Sequence, residues 1–250
     1  MNINVIIILF VSVMATGIIT DVFNNKIKDF NKYFIPLSVS FVLSLIILHI
    51  LPELFSSETK SNIGVYILLG FILQIIFELL SKGVEHGHIH YSNKQKNSNI
   101  VLSIMLGLSI HSFIEGMPLG FIEDVAHSHH HHHHLTDKTS GIYLWMIIAH
   151  KLPVAMILMS FFIKYISNKK IAYLLLGIFA ITAPLGLIVG SYMKNEISDF
   201  ASIFLAISTG MLLHITTLLI FEDHHNKNKI FNILLIILGF ILGIGFYGNF

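Results

Sequence analysis

Residues 100–122 read IVLSIMLGLSIHSFIEGMPLGFI, an apolar run long enough to cross a bilayer as a helix of about 20 residues. Its middle is interrupted by His111-Ser112-Phe113-Ile114-Glu115-Gly116. A second run, 141–163, carries His150-Lys151-Leu152-Pro153 near its centre. Ionisable groups at such depth are expensive, usually face protein or water, and mark function. Imidazole and carboxylate are also what a divalent metal ion binds. The two stretches together predict a membrane protein that handles a metal ion at mid-depth.

The rest of the chain fits that frame. It is 54% hydrophobic and 12% charged, with a mean hydropathy of +0.78, whereas a soluble domain is about a quarter charged. Apolar runs fall at 3–20, 34–55, 63–81, 100–122, 141–163, 171–193, 200–221 and 230–248. They are continuous rather than alternating, which predicts helices and not a barrel. The expected fold is therefore all-α, a polytopic bundle of eight transmembrane helices in a single domain, 1–250. The first run lacks a basic start and a clear cleavage site, so it reads as a span and not a signal peptide. Gly70, Gly107, Gly177, Gly186, Gly190, Gly239, Gly243 and Gly245 suit close helix packing. The chain has no cysteine, hence neither a disulfide framework nor a thiolate site. Its formal net charge of +1 gives no reason to expect a nucleic-acid partner.

All fifteen basic residues are lysine, and their placement sets the orientation. With both termini outside, inner loops hold Lys26, Lys28, Lys32, Lys82, Lys94, Lys96, Lys164, Lys169, Lys170, Lys227 and Lys229. Outer loops then hold only Lys60, Lys138 and Lys194, a clear positive-inside bias. The longest loops, about 82–99 on the inside and 123–140 on the outside, are the histidine-bearing ones.

His111 and Glu115 are four apart, on one helical face. His150 lies near the centre of the next span, so two helices can bring His, Glu and His to one point. Three protein ligands with an open position suit a transiently held ion of the Zn²⁺ type. Prolines sharpen the pattern, because each frees the carbonyl four residues earlier. Pro118 frees that of Ile114 beside Glu115, Pro153 that of Ala149 beside His150, and Pro52 that of Leu48 beside His49.

At this point the residues resemble a known family. The His-Ser-x-x-Glu-Gly stretch of the fourth span is similar to the signature of the ZIP (Zrt- and Irt-like) metal transporters. His49-Ile50-Leu51-Pro52-Glu53, His150-Lys151-x-Pro153 and Ala183-Pro184-Leu185-Gly186 agree with it. The resemblance implies an eight-helix bundle with external termini and metal crossing between the fourth and fifth helices toward the cytosol. It also implies that His111, Glu115 and His150 are ligands of the principal site. The chain departs from members with a two-metal site: Lys151 stands where they carry a carboxylate, Val154 follows the proline, and Leu219 stands at the seventh-span acid. An ammonium at 151 repels a second cation and pairs with Glu115, so one transported ion is expected.

The fourth ligand is expected from Ser112, water or His214. Counting residues for depth orders the groups from outside as His49, with Glu53 near it, then His111/Glu115/His150, then His214, then Glu78. A helix–helix hydrogen bond is the alternative role for His214. On the inner loop, Glu85 with His86, His88 and His90 forms a short tract able to hold Zn²⁺ loosely, and Glu222, Asp223, His224 and His225 form an inner rim. His127 and His129 to His134 form an outer run that resembles either an ion collector or an expression tag.

The expected function is transport of a divalent transition metal into the cytosol, zinc first, with iron, manganese and cadmium as alternatives, and no enzymatic activity. The rival is a redox protein with haem between His111 and His150. An intramembrane metallohydrolase is disfavoured for want of a His-Glu-x-x-His pattern. No resident cofactor is expected. The expected partners are the metal ion and the lipid bilayer, with a homodimer left open. The expected location is a bacterial inner membrane.

Overall fold

The computed structural model describes residues 3–56, 62–81, 98–122, 137–166, 168–193, 200–221 and 229–249. In chain order the helices are α1 (Ile3–Val22), α2 (Asn24–Leu45), a π turn (Ile46–Ile50), α3 (Leu51–Ser56) and α4 (Ile63–Ser81). They continue as α5 (Ser98–Ile122), α6 (Asp137–Tyr165), α7 (Lys169–Met193), α8 (Phe200–Phe221) and α9 (Lys229–Asn249). Among the described residues there is no strand. Eight of the described segments are long and apolar enough to cross a membrane, with part of α2, the π turn and α3 forming one of them. They follow the expected runs closely.

Apolar side chains cover much of the surface. Ile7, Val11 and Ile18 on α1, Val65, Leu68 and Leu79 on α4, and Ile233, Leu234 and Ile241 on α9 are all exposed. Such a surface would be an aggregation liability in water and is what a hydrocarbon solvent requires. The interior consists of two apolar clusters. One gathers around Ile142, Tyr143, Met146 and Ile147, the other around Leu158, Phe162, Leu176 and Phe179. Helix α6 runs through both and is the central element.

Lipid tails are as apolar as leucine, so helices in a bilayer associate by close packing rather than by hydrophobic exclusion. Glycines supply the closeness here. A side chain at Gly116 would meet the backbone of Ala183, and one at Gly186 that of Phe113, which locks α5 to α7. Gly70 lies on the backbone of Ile207 and Gly210 on that of Ile67, joining α4 to α8. Gly239 and Gly243 receive Ser40 and Ser44, joining α9 to α2. Gly177 and Gly245 differ from expectation: both face open space and take no part in this packing.

The π turn answers Pro52. With no N–H at that position and a ring against the preceding turn, the helix absorbs the fault by widening for one turn, a feature often found at functional sites. His49 sits in that turn.

Side chains tie helix ends together at both ends of the bundle. Lys169 at the start of α7 binds Asp21 at the end of α1 at 2.7 Å, and the Tyr173 hydroxyl donates to the same carboxylate at 2.9 Å. At the opposite end, His49 Nε2 lies 3.3 Å from Thr139 Oγ1 at the start of α6.

Candidate metal site

Helices α5 and α6 bring His111, Glu115 and His150 together. One turn of α5 stacks His111 on Glu115, with Nε2 of the former 2.9 Å from Oε1 of the latter. His150 Nε2 approaches the same oxygen at 3.0 Å and Oε2 at 3.1 Å. One potential ligand atom from each residue lies within 4.8 Å of the others. Glu115 is wholly inaccessible to solvent, and His111 and His150 are each 4% exposed. The remaining ring nitrogen of His150, Nδ1, lies 2.9 Å from the Met146 carbonyl. A carbonyl only accepts, so Nδ1 carries a hydrogen and Nε2 is the nitrogen presented to the cluster.

Lys151 enters from beside His150. Its Nζ donates to Ser112 Oγ and stands 3.6 Å from Glu115 Oε2. The Phe179 ring centroid is 5.6 Å from the same nitrogen, near enough for a cation–π contribution. Ser112 is in turn 2.8 Å from Thr182 Oγ1 on α7. The hydroxyl considered as a fourth ligand is thus engaged by the ammonium.

Around this pocket the helices are tied by hydroxyl groups. Tyr143, seven residues before His150 and so about 10 Å along α6 toward its N-terminal end, is fully buried. Its hydroxyl donates to the Glu115 carbonyl at 3.0 Å and meets Ser208 Oγ on α8. The Ala149 carbonyl, released by Pro153, accepts from Ser38 Oγ on α2 at 2.5 Å. That oxygen is therefore spent on joining two helices, which the proline pattern alone did not reveal.

Among the described residues, His49, Glu53, His214 and Glu78 lie outside the cluster. His49 is buried against Thr139, with the Tyr247 ring 6.1 Å away, while Glu53 sits a turn further along, half-buried on α3. His214 Nε2 and Glu78 Oε2 are 2.9 Å apart, with Phe71 edge-on to the imidazole at 4.7 Å. They form one pair between α8 and α4, where residue counting had set them at successive depths. Glu85, His86, His88, His90, His127, His129 to His134, Glu222, Asp223, His224 and His225 lie outside the described residues. Tyr143, Ser38, Thr182 and Ser208 escaped the sequence reading altogether.

Both Nε2 atoms converge on one carboxylate oxygen, which leaves no plane between His111 and His150 for a porphyrin. The donor set is that of a hard-to-borderline divalent ion.

A search of curated proteins finds no relative that matches the chain. A family model described as ZIP zinc transporter matches residues 81–248, more than half of the chain and the whole of the segment that carries the cluster. That is a family of transporters and not of enzymes. With eight spans, a buried His-Glu-His cluster and this match, the chain is an integral, multi-pass membrane protein that belongs to the ZIP zinc transporter family.

Proposed function

We propose that this protein carries divalent transition-metal ions, zinc foremost, into the cytosol through a single site made by His111, Glu115 and His150. The observation that carries the reading is the convergence of two imidazole nitrogens on one carboxylate oxygen in a buried pocket. Zinc bonds of about 2.0–2.2 Å to nitrogen and oxygen ask the three groups to part only slightly around an ion held between them. Water fills the open position, and an incompletely ligated ion leaves more readily than one in a closed structural site.

Lys151 limits the site to one ion. At roughly 4 Å and an effective dielectric of about 20, each unit of like charge costs about 4 kcal/mol. A second divalent ion beside the ammonium would meet twice that. Beyond the site, Glu78 and His214 serve as a further resting place toward the cytosol and His49 with Glu53 as one toward the outside, a series of sites each favourable but weak. The inner tract with His86, His88 and His90 receives the ion. The membrane is a bacterial inner membrane, and inward direction is supported by the lysine asymmetry and that inner tract.

Flux of Zn²⁺, Fe²⁺, Mn²⁺ and Cd²⁺ into liposomes carrying the purified protein tests the reading, with Glu115→Ala in parallel. Saturable Zn²⁺ flux that falls at least about ten-fold in the variant is expected. Intact protein that moves no ion faster than protein-free vesicles would refute it.

A further inference from the structure

We propose that Thr182 is a positioning residue of the ion site: acting through Ser112, it holds the Lys151 ammonium off Glu115 and so keeps that carboxylate available to the ion. The inference rests on the His111/Glu115/His150 reading above.

The geometry at Lys151 is unexpected for a buried lysine beside a carboxylate. Its Nζ donates to a neutral hydroxyl, Ser112, while Glu115 Oε2 stays at 3.6 Å, beyond hydrogen-bond length. A hydrogen bond between two charged groups is roughly twice as strong as one between neutral groups, so an unrestrained ammonium would close the gap. Once closed, it would occupy the oxygen that an arriving ion needs. The chain therefore carries a competitor to its own substrate, restrained just short of competing.

The restraint is a hydroxyl oxygen held by two donors. Thr182 Oγ1 lies 2.7 Å from the Phe179 carbonyl and 2.8 Å from Ser112 Oγ, and its one hydrogen is shared between these two acceptors. Ser112 Oγ thus accepts from Thr182 on one side and from the Lys151 ammonium on the other. Donors from α6 and α7 together fix the position of this α5 oxygen. Phe179 adds its ring, whose centroid is 5.6 Å from the ammonium nitrogen.

The placement of Thr182 is firm because its neighbours fix the helices. Gly116 against Ala183 and Gly186 against Phe113 bring α7 onto α5 at backbone contact on the same stretch. Without the Thr182 hydroxyl, Ser112 loses the donor that fixes its side chain. Lys151 then has no fixed acceptor, and the ammonium moves onto the carboxylate.

Calorimetric titration of the full-length protein in nanodiscs with Zn²⁺ tests this, using the parent, Thr182→Val and Thr182→Ser, each also in a Lys151→Met background. Thr182→Val is expected to weaken Zn²⁺ binding about 3- to 10-fold, the worth of one hydrogen bond, and Thr182→Ser to restore it. In the Lys151→Met background Thr182→Val changes affinity by less than about two-fold, because the competitor is gone. Should Thr182→Val not fold, Thr182→Ala makes the same comparison. Unchanged affinity in Thr182→Val, or the same loss with and without Lys151, overturns the proposal while leaving the site reading intact. A parent protein that binds no Zn²⁺ overturns both.

Discussion

Glu115 answers to two kinds of charge, the ion it would bind and the ammonium beside it. Fully buried, it compensates Lys151 at 3.6 Å, and removal of one member of a buried pair costs about 3–5 kcal/mol because the other is stranded. Glu115→Gln is therefore expected to lower the melting temperature in detergent as well as abolish Zn²⁺ binding. Lys151→Met added to it should recover most of the lost stability and none of the binding, which thermal unfolding and titration separate. The histidines carry a second expectation. Their Nε2 atoms stand 2.9 and 3.0 Å from Glu115 Oε1, placed as ligand atoms, and a metal ion requires its ligands deprotonated. Zn²⁺ binding should release protons, read as a dependence of binding heat on buffer ionisation enthalpy; identical heats in all buffers would contradict this expectation.

Among the elements, helix contacts are made by backbone against backbone, and the same helix supplies its own control. Gly186 and Gly177 both lie on α7, but only Gly186 faces another main chain. Gly186→Val should abolish the folded, monodisperse protein in a size-exclusion profile. Gly177→Ala should leave it unchanged or slightly more stable, since alanine favours helix by roughly 1 kcal/mol over glycine. How much of this was legible varied with chemistry. His111, Glu115, His150 and Lys151 stood out because ionisable groups are rare in apolar runs. The hydroxyls did not. Thr16, Thr20, Ser40 and Thr209 turn back on their own helices, and Ser38, Ser112 and Thr182, which reach across to others, look the same in sequence. Pro52 announced a fault in its helix but not that a π turn would absorb it. Glu78 and His214 were set at different depths because counting along separate spans ignores how the helices shift against one another.

For the whole molecule, the eight spans and their order were readable since hydrocarbon thickness dictates length. The orientation expected from lysine placement has a clean test, because the sequence has no cysteine. Asn62 precedes α4 and Asn168 precedes α7, and both are exposed. Asn62→Cys should react with an impermeant thiol reagent on intact cells, and Asn168→Cys only after permeabilisation. The reverse pattern would invert the topology and with it the direction of transport.

Lys151 also has a meaning in the currency of codons. Lysine and glutamate triplets differ only in their first base. A pocket with a built-in positive charge thus stands one point mutation from a pocket with a second carboxylate, and from a different appetite for ions. Ion capacity in this protein is open to selection in a single step, provided the hydroxyls that now receive an ammonium can accept what replaces it.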